Sequence, residues 1–148
     1  MLKRVKMYGT PGAFLVGLRL IAFEGTVVDL ADTAANVTAF GRPPTSRGVS
    51  AWPQAQLVAL CESGINAVCD AGLWPYNHDE EAGVHLLLRS VIPYMVVLSD
   101  RGQHSYDPIA ATLARGALIL NRVPAHVKPT TIAVLPDGTH LVHLRPGD

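Results

Sequence analysis

Asp100 closes an apolar run. Met95, Val96, Val97 and Leu98 read as a buried strand, and Ser99, Asp100, Arg101 and Gly102 follow at once. An acid in that place is either a solvated strand end or one carboxylate of a metal site whose other members lie elsewhere in the chain. Glu24 is the candidate partner. It sits inside a second apolar, β-branched run, "LRLIAFEGTVVDL" (18–30), where an unpaired carboxylate is expensive to bury. A metal ion or a cation such as Arg101 would offset that cost. Arg101 is suited to orienting Asp100, to touching a phosphate, or to a plain salt bridge. Arg42 and Arg47 lie in the long polar stretch 31–53 and are candidates for phosphate contact as well as for ordinary solvation. The six histidines make no zinc pattern. His140 and His143 are three apart, which on a strand puts them on opposite faces, and no Cys-x-x-Cys accompanies them.

These residues need elements to bring them together. Residues 18–30 predict a long strand. Residues 55–76 predict two strands joined at Ser63-Gly64-Ile65-Asn66, a hairpin signal. A helix follows, with Asn77 as N-cap and Glu80 three residues on; Val84, Leu87, Leu88 and Val91 fall on one stripe. After the strand 94–99, Asp107 and Pro108 read as N-cap and first turn of a second helix, which Gly116 stops. "ALILNRV" (117–123) predicts another strand, and "TTIAVLPDGTHLVHL" a hairpin around Pro136-Asp137-Gly138. The order is β-β-β-α-β-α-β, then a β-hairpin. Three successive strands favour an antiparallel meander. The strand after the first helix returns by a crossover, so it runs parallel to a member of that meander. If it pairs with the first strand, Glu24 and Asp100 stand side by side where ligands gather in open α/β sheets.

Composition sets bounds. The 148 residues are 49 % hydrophobic and 16 % charged, which fits one domain with a real core. Lys+Arg and Asp+Glu are both 12. That balance is poor for an independent nucleic-acid binder, although nine of the cations are Arg, the better phosphate ligand. Cys61 and Cys69 are too few for a disulfide framework and read as reduced thiols in a cytoplasmic protein. No uncharged apolar run approaches the roughly 18 residues of a membrane span. Trp52 and Trp74 flank the predicted hairpin and read as core or lid packing.

Two segments carry a family resemblance. "GLRLIAFEGTVVDLADTAANVTAFGRP" resembles the region around the first catalytic acid of DDE-type insertion-sequence transposases, and "VVLSDRGQHSYD" resembles the region around the second. The likeness runs from about Gly12 to the end. It implies an α/β, RNase H-like mixed sheet, with Glu24 and Asp100 as catalytic, metal-binding acids. It also implies Mg²⁺ or Mn²⁺ as cofactor, and DNA at transposon ends as partner and substrate of cleavage and strand transfer. Two metal ions clamping the attacking and leaving oxygens of a phosphoryl displacement explain why carboxylates are needed.

Three departures qualify the resemblance. The first acid is Glu24 where the family has Asp. No Tyr-x-x-Arg-x-x-x-Glu pattern supplies the third acid; Tyr76, Tyr94 and Tyr106 are followed at that spacing by Asp79, Val97 and Ile109. Only 23 residues precede Glu24, fewer than the family's DNA-recognition region needs. The expectation is therefore a central transposase piece: a lead-in (1–17), a partial RNase H-like core (18–124) and a hairpin resembling the start of the family's β-rich insertion (125–148). Such a chain is expected to be inactive or nearly so alone. The alternatives are a protein that pairs with itself or with a full-length transposase and inhibits it, and an inactive relic.

Overall fold

A computed structural model describes residues 10–78, 80–100 and 105–146, without the side chains of 80 and 81. A two-residue strand, β1 (Phe14–Leu15), pairs with the start of the long strand β2 (Leu18–Asp29). Then come α1 (Ala34–Phe40), a small hairpin of β3 (Pro44–Thr45) and β4 (Gly48–Val49), and the longer hairpin of β5 (Gln54–Glu62) and β6 (Ala67–Pro75). They are followed by α2 (Glu80–Leu87), β7 (Met95–Ser99), α3 (Tyr106–Ala114), β8 (Leu118–Asn121), β9 (Thr130–Val134) and β10 (His140–His143).

The main sheet is mixed and runs β6-β5-β2-β7-β8, with β1 off its path. The pairs β6–β5 and β5–β2 are antiparallel, as the meander required. β7 returns parallel to β2, and β8 parallel to β7. Asn66, at the β5–β6 turn, takes a left-handed φ of 52°, which Asn tolerates better than most residues. β9 and β10 form a separate two-stranded sheet.

One face of the main sheet holds the core. Ile21 and Phe23 of β2, Val58 and Leu60 of β5, and Met95 and Val97 of β7 pack there against Val84, Leu87, Leu88 and Val91. Those last four are the expected apolar stripe, split between α2, the 3₁₀ turn Leu88–Ser90 and the residue after it. Ala111 of α3 packs on the same cluster. Trp74 completes it by lying back over Gly72, where any Cβ would collide with the indole, and by stacking on His78 with centroids 5.4 Å apart. Trp52, by contrast, is half exposed.

Two elements differ from expectation. The polar stretch 31–53 contains α1, capped by the Thr33 hydroxyl, which accepts from the Asn36 N–H at 3.2 Å. Its seven residues bury none of themselves, so no apolar period announces it. The helix α3 begins two residues earlier than its sequence signal, with Ser105 at the N-cap position. Asn77, expected to cap α2, lies instead in the turn before it, where the His78 N–H donates to the Pro75 carbonyl at 2.9 Å; α2 is described from Glu80, and Asp79 lies outside the described residues. Among the described residues no helix is long and apolar enough to cross a membrane.

Polar contacts tie the layers together. Arg89 donates to both carboxylate oxygens of Asp70 at 2.9 Å, and the Ser90 hydroxyl donates at 2.6 Å, which clamps β6 to the end of α2. The Arg89 guanidinium holds the Asp70 carboxyl below its usual range, against the opposing effect of partial burial.

Two predictions follow from these contacts. Leu60 is fully buried, so Leu60→Ala should cost about 2–5 kcal/mol in denaturant unfolding, within one cooperative transition. Asp70 ionises more readily in the folded state, so its contribution is present at neutral pH and lost as pH falls through that lowered pKa. Asp70→Asn should therefore melt below wild type at pH 7, and the gap should close in acid beneath the ordinary carboxylate range.

Candidate functional site

Strand register decides where the two acids go. The β2–β7 pairing runs from Arg19↔Met95 to Ala22↔Leu98. The pairing ends there; two residues further along each chain stand Glu24, which strand alternation puts on the face opposite Ile21 and Phe23, and Asp100, just past the end of β7. Both line one open cleft of about 630 Å³, together with Ala22, Cys61, Ser63 and Ser99. The register thus joins the two acids that sequence reasoning paired. Both are exposed. Exposure corrects the expectation that Glu24 is buried and in need of a cation: water solvates its carboxylate, so the desolvation cost does not arise.

The cleft's other polar groups follow from the same strands. In β5, Cys61 pairs with Ala22, so its thiol lies diagonally from Glu24. Burial pushes the Cys61 thiol pKa up, and the Glu24 charge and Cys69 add to the rise. The Ser63 and Ser99 hydroxyls are buried without a hydrogen-bond partner among the described residues. Glu62 also borders the cleft, but its carboxylate is engaged. Arg19 Nε donates to Glu62 Oε1 at 2.8 Å, and this raises the Arg19 pKa.

The arginines separate. Arg101 lies outside the described residues. Beside Asp100 the structure brings Arg122 instead, with Nη1 4.0 Å from Asp100 Oδ1. Both groups are largely exposed, so the pair is worth little as a stability term. It follows from register: Ser99 pairs with Asn121, and the Arg122 N–H donates to the Ser99 carbonyl at 3.2 Å. Sequence reasoning missed Arg122, although a parallel strand over 117–123 would have carried it to the Asp100 level. Arg42 is consumed by its own loop. It pairs with Asp32 and donates to the carbonyls of Ser50 and Ala51. Arg47 is exposed on the β3–β4 turn, its N–H donating to Thr45 Oγ1 at 3.3 Å. Neither Arg42 nor Arg47 lines the cleft.

Cys61 and Cys69 are both free and half-buried. A register shift between Leu60 and Cys61 sets Cys61 against Val68. Cys69 instead packs on the core side, where Arg19 Nη2 donates to its sulfur at 3.8 Å. Among the described residues no three His, Cys, Asp or Glu side chains gather closely enough to hold one metal ion.

No family model and no curated protein matches the sequence. Among solved structures the chain is similar to a piggyBac transposase, determined by cryo-EM as a synaptic complex with hairpin DNA. The TM-score is 0.53 at 14 % identity, over 80 % of this chain and 24 % of that one. The fold is thus transposase-like, and the chain spans about a quarter of the length of the transposase chain it matches.

The cleft geometry makes a chemical prediction. Removing the Glu24 charge lowers the Cys61 pKa, so Glu24→Gln should speed alkylation of Cys61 at fixed mildly alkaline pH, read by mass spectrometry of the labelled peptide. An unchanged rate would mean that Glu24 does not face the thiol.

Proposed function

We propose that the chain is the acid-bearing part of a DDE-type insertion-sequence transposase core with RNase H-like topology. The observation that carries this reading is the convergence of Glu24 and Asp100. Strands distant in sequence bring both to the lining of one open cleft. The mixed sheet, three antiparallel strands followed by two parallel ones, supports it, as does the likeness to a transposase fold.

The donor chemistry fits a hard divalent cation in part. Two solvated carboxylates suit Mg²⁺ or Mn²⁺, which are commonly held by one or two protein carboxylates with waters and substrate phosphate completing the shell. The set does not fit two metal ions sharing three acids, because Glu62 is paired with Arg19 and the described residues offer no third free acid in the cleft. A bound cation would supply Lewis-acid polarisation of a phosphoryl oxygen.

The chain's own residues then have simple roles. Glu24 and Asp100 hold the cation. Arg122 steadies Asp100 or meets a DNA phosphate, and Arg101, next in sequence to Asp100, is proposed for the same work. Arg47, exposed on its turn, is suited to touch DNA backbone beyond the cleft. Arg42 serves the loop instead. DNA at transposon ends is the proposed partner, in a cytoplasmic setting where the two thiols stay reduced. With one pair of acids the chain binds metal weakly and does not cleave DNA alone.

A second reading, an interaction protein, has one observation in its favour. The face of the sheet opposite the core leaves Leu73, Leu118 and Leu120 about half exposed.

Mn²⁺ titration followed by NMR line broadening tests the first reading. Broadening should centre on Ala22, Leu98 and Ser99 and vanish in the Glu24→Gln/Asp100→Asn double variant, while a labelled transposon-end duplex stays intact. Broadening that survives the double variant would remove the metal site. Nicking that Asp100→Ala abolishes would overturn the claim of inactivity.

A further inference from the structure

Arg122 stands at the rim of the acid cleft. It follows β8 directly, and its N–H donates to the Ser99 carbonyl at 3.2 Å, one step past the Ser99↔Asn121 pair. That bond ties the Arg122 backbone to the residue before Asp100. The guanidinium is held far more loosely. Its Nη1 is 4.0 Å from Asp100 Oδ1, beyond hydrogen-bond length. The two side chains are 67 % and 75 % exposed. The attraction therefore acts through space, is screened by water and salt, and exchanges cheaply for another.

The neighbouring cations are committed elsewhere. Among the described residues no Lys or Arg lines the cleft. Arg19 is held by Glu62, and Arg42 by Asp32. Arg122 is thus placed to answer the charge of Asp100. A divalent cation held by Glu24 and Asp100 changes what Arg122 faces. The guanidinium then meets a positive centre where it had met a carboxylate, and Coulomb repulsion opposes that arrangement. An oxyanion reverses the sign. A phosphodiester oxygen in the cation's shell offers the planar guanidinium an anion of matching geometry.

We infer that Arg122 couples cation binding to phosphodiester binding: it competes with the cation for Asp100 while the cleft is empty of nucleic acid, and it moves to the phosphate when a strand enters. The inference rests on the metal reading above and adds the sign of the Arg122 effect. Arg122 weakens Mn²⁺ binding by the protein alone and strengthens it when a phosphodiester strand is present. Linkage makes the effect reciprocal, so the cation tightens the strand by the same factor. An acid pair with few donors then fills with cation when substrate phosphate is at hand.

The test uses the full 148-residue chain. Mn²⁺ titrations are followed by line broadening at Ala22, Leu98 and Ser99, with and without a short oligothymidylate. Without it, Arg122→Gln should bind Mn²⁺ about three-fold or more tightly than wild type at low ionic strength, and added salt should close the gap. Arg122→Lys keeps the charge and should return the wild-type affinity. Arg115→Gln removes a charge at the far end of β8, beside the C-terminus of α3, and should change nothing. Oligothymidylate should tighten Mn²⁺ binding by wild type, and by Arg122→Gln much less. Arg122 is exposed, so its variants should melt with wild type.

The Glu24→Gln/Asp100→Asn variant separates the two claims. If its broadening is lost while Arg122→Gln binds Mn²⁺ as wild type does, or more weakly, the metal reading stands and the inference is overturned. Equal tightening by oligothymidylate in wild type and Arg122→Gln overturns it as well. If no carboxylate-dependent broadening occurs in either chain, the metal reading fails and the inference with it.

Discussion

The parallel pairing of β2 with β7 is the constraint on which the rest depends. Its four pairs, Arg19↔Met95 to Ala22↔Leu98, set the alternation of both strands at once. Odd-numbered residues of each, Ile21, Phe23, Met95 and Val97, turn to the helices and form the core. Even-numbered residues turn the other way, and one alternation past the last pair stand Glu24 and Asp100. A slip of one residue would bury a carboxylate and expose a core side chain on the same strand. Hydrophobic burial therefore enforces the placement of the two acids, although neither contributes to the core. The crossover through α2 makes this pairing parallel, and Asp70 with Arg89 fastens the end of α2 to β6.

The outcome is a sheet with one finished side. Helices seal the face that carries Ile21, and the opposite face holds the cleft, with half-exposed leucines on the strands that flank it. The acids and the half-exposed leucines share that second face: Glu24 and Asp100 stand just past the end of the β2–β7 pairing, and Leu118 and Leu120 lie on the neighbouring β8. Cys61, on β5 at the other side of β2, reports on the cleft: burial raises its thiol pKa first and the Glu24 charge second.

Much of this was legible in the sequence, and the reasons differ by element. The strand over 18–30 and the stripe Val84-Leu87-Leu88-Val91 announce themselves by composition and period. The convergence of Glu24 and Asp100 follows from element order and the crossover rule. The hidden features all need three-dimensional register or loop packing. The helix α1 buries nothing and has no period to read. The solvation of Glu24 depends on its face of the sheet being the one the helices do not cover. Arg122 reaches Asp100 only through the Ser99↔Asn121 pair. Arg42 looks free in sequence, but the carbonyls of Ser50 and Ala51 and the carboxylate of Asp32 claim it. The bulge at Leu60/Cys61 separates two thiols that hairpin symmetry would place together.

The most direct test of the central claim is a crystal of this chain grown with Mn²⁺ and measured at the manganese absorption edge. The account predicts an anomalous peak between the carboxylates of Glu24 and Asp100, with Ala22 still opposite Leu98 in the β2–β7 pair. A β2–β7 pair in another register, or manganese bound elsewhere while both carboxylates stand apart, would contradict it.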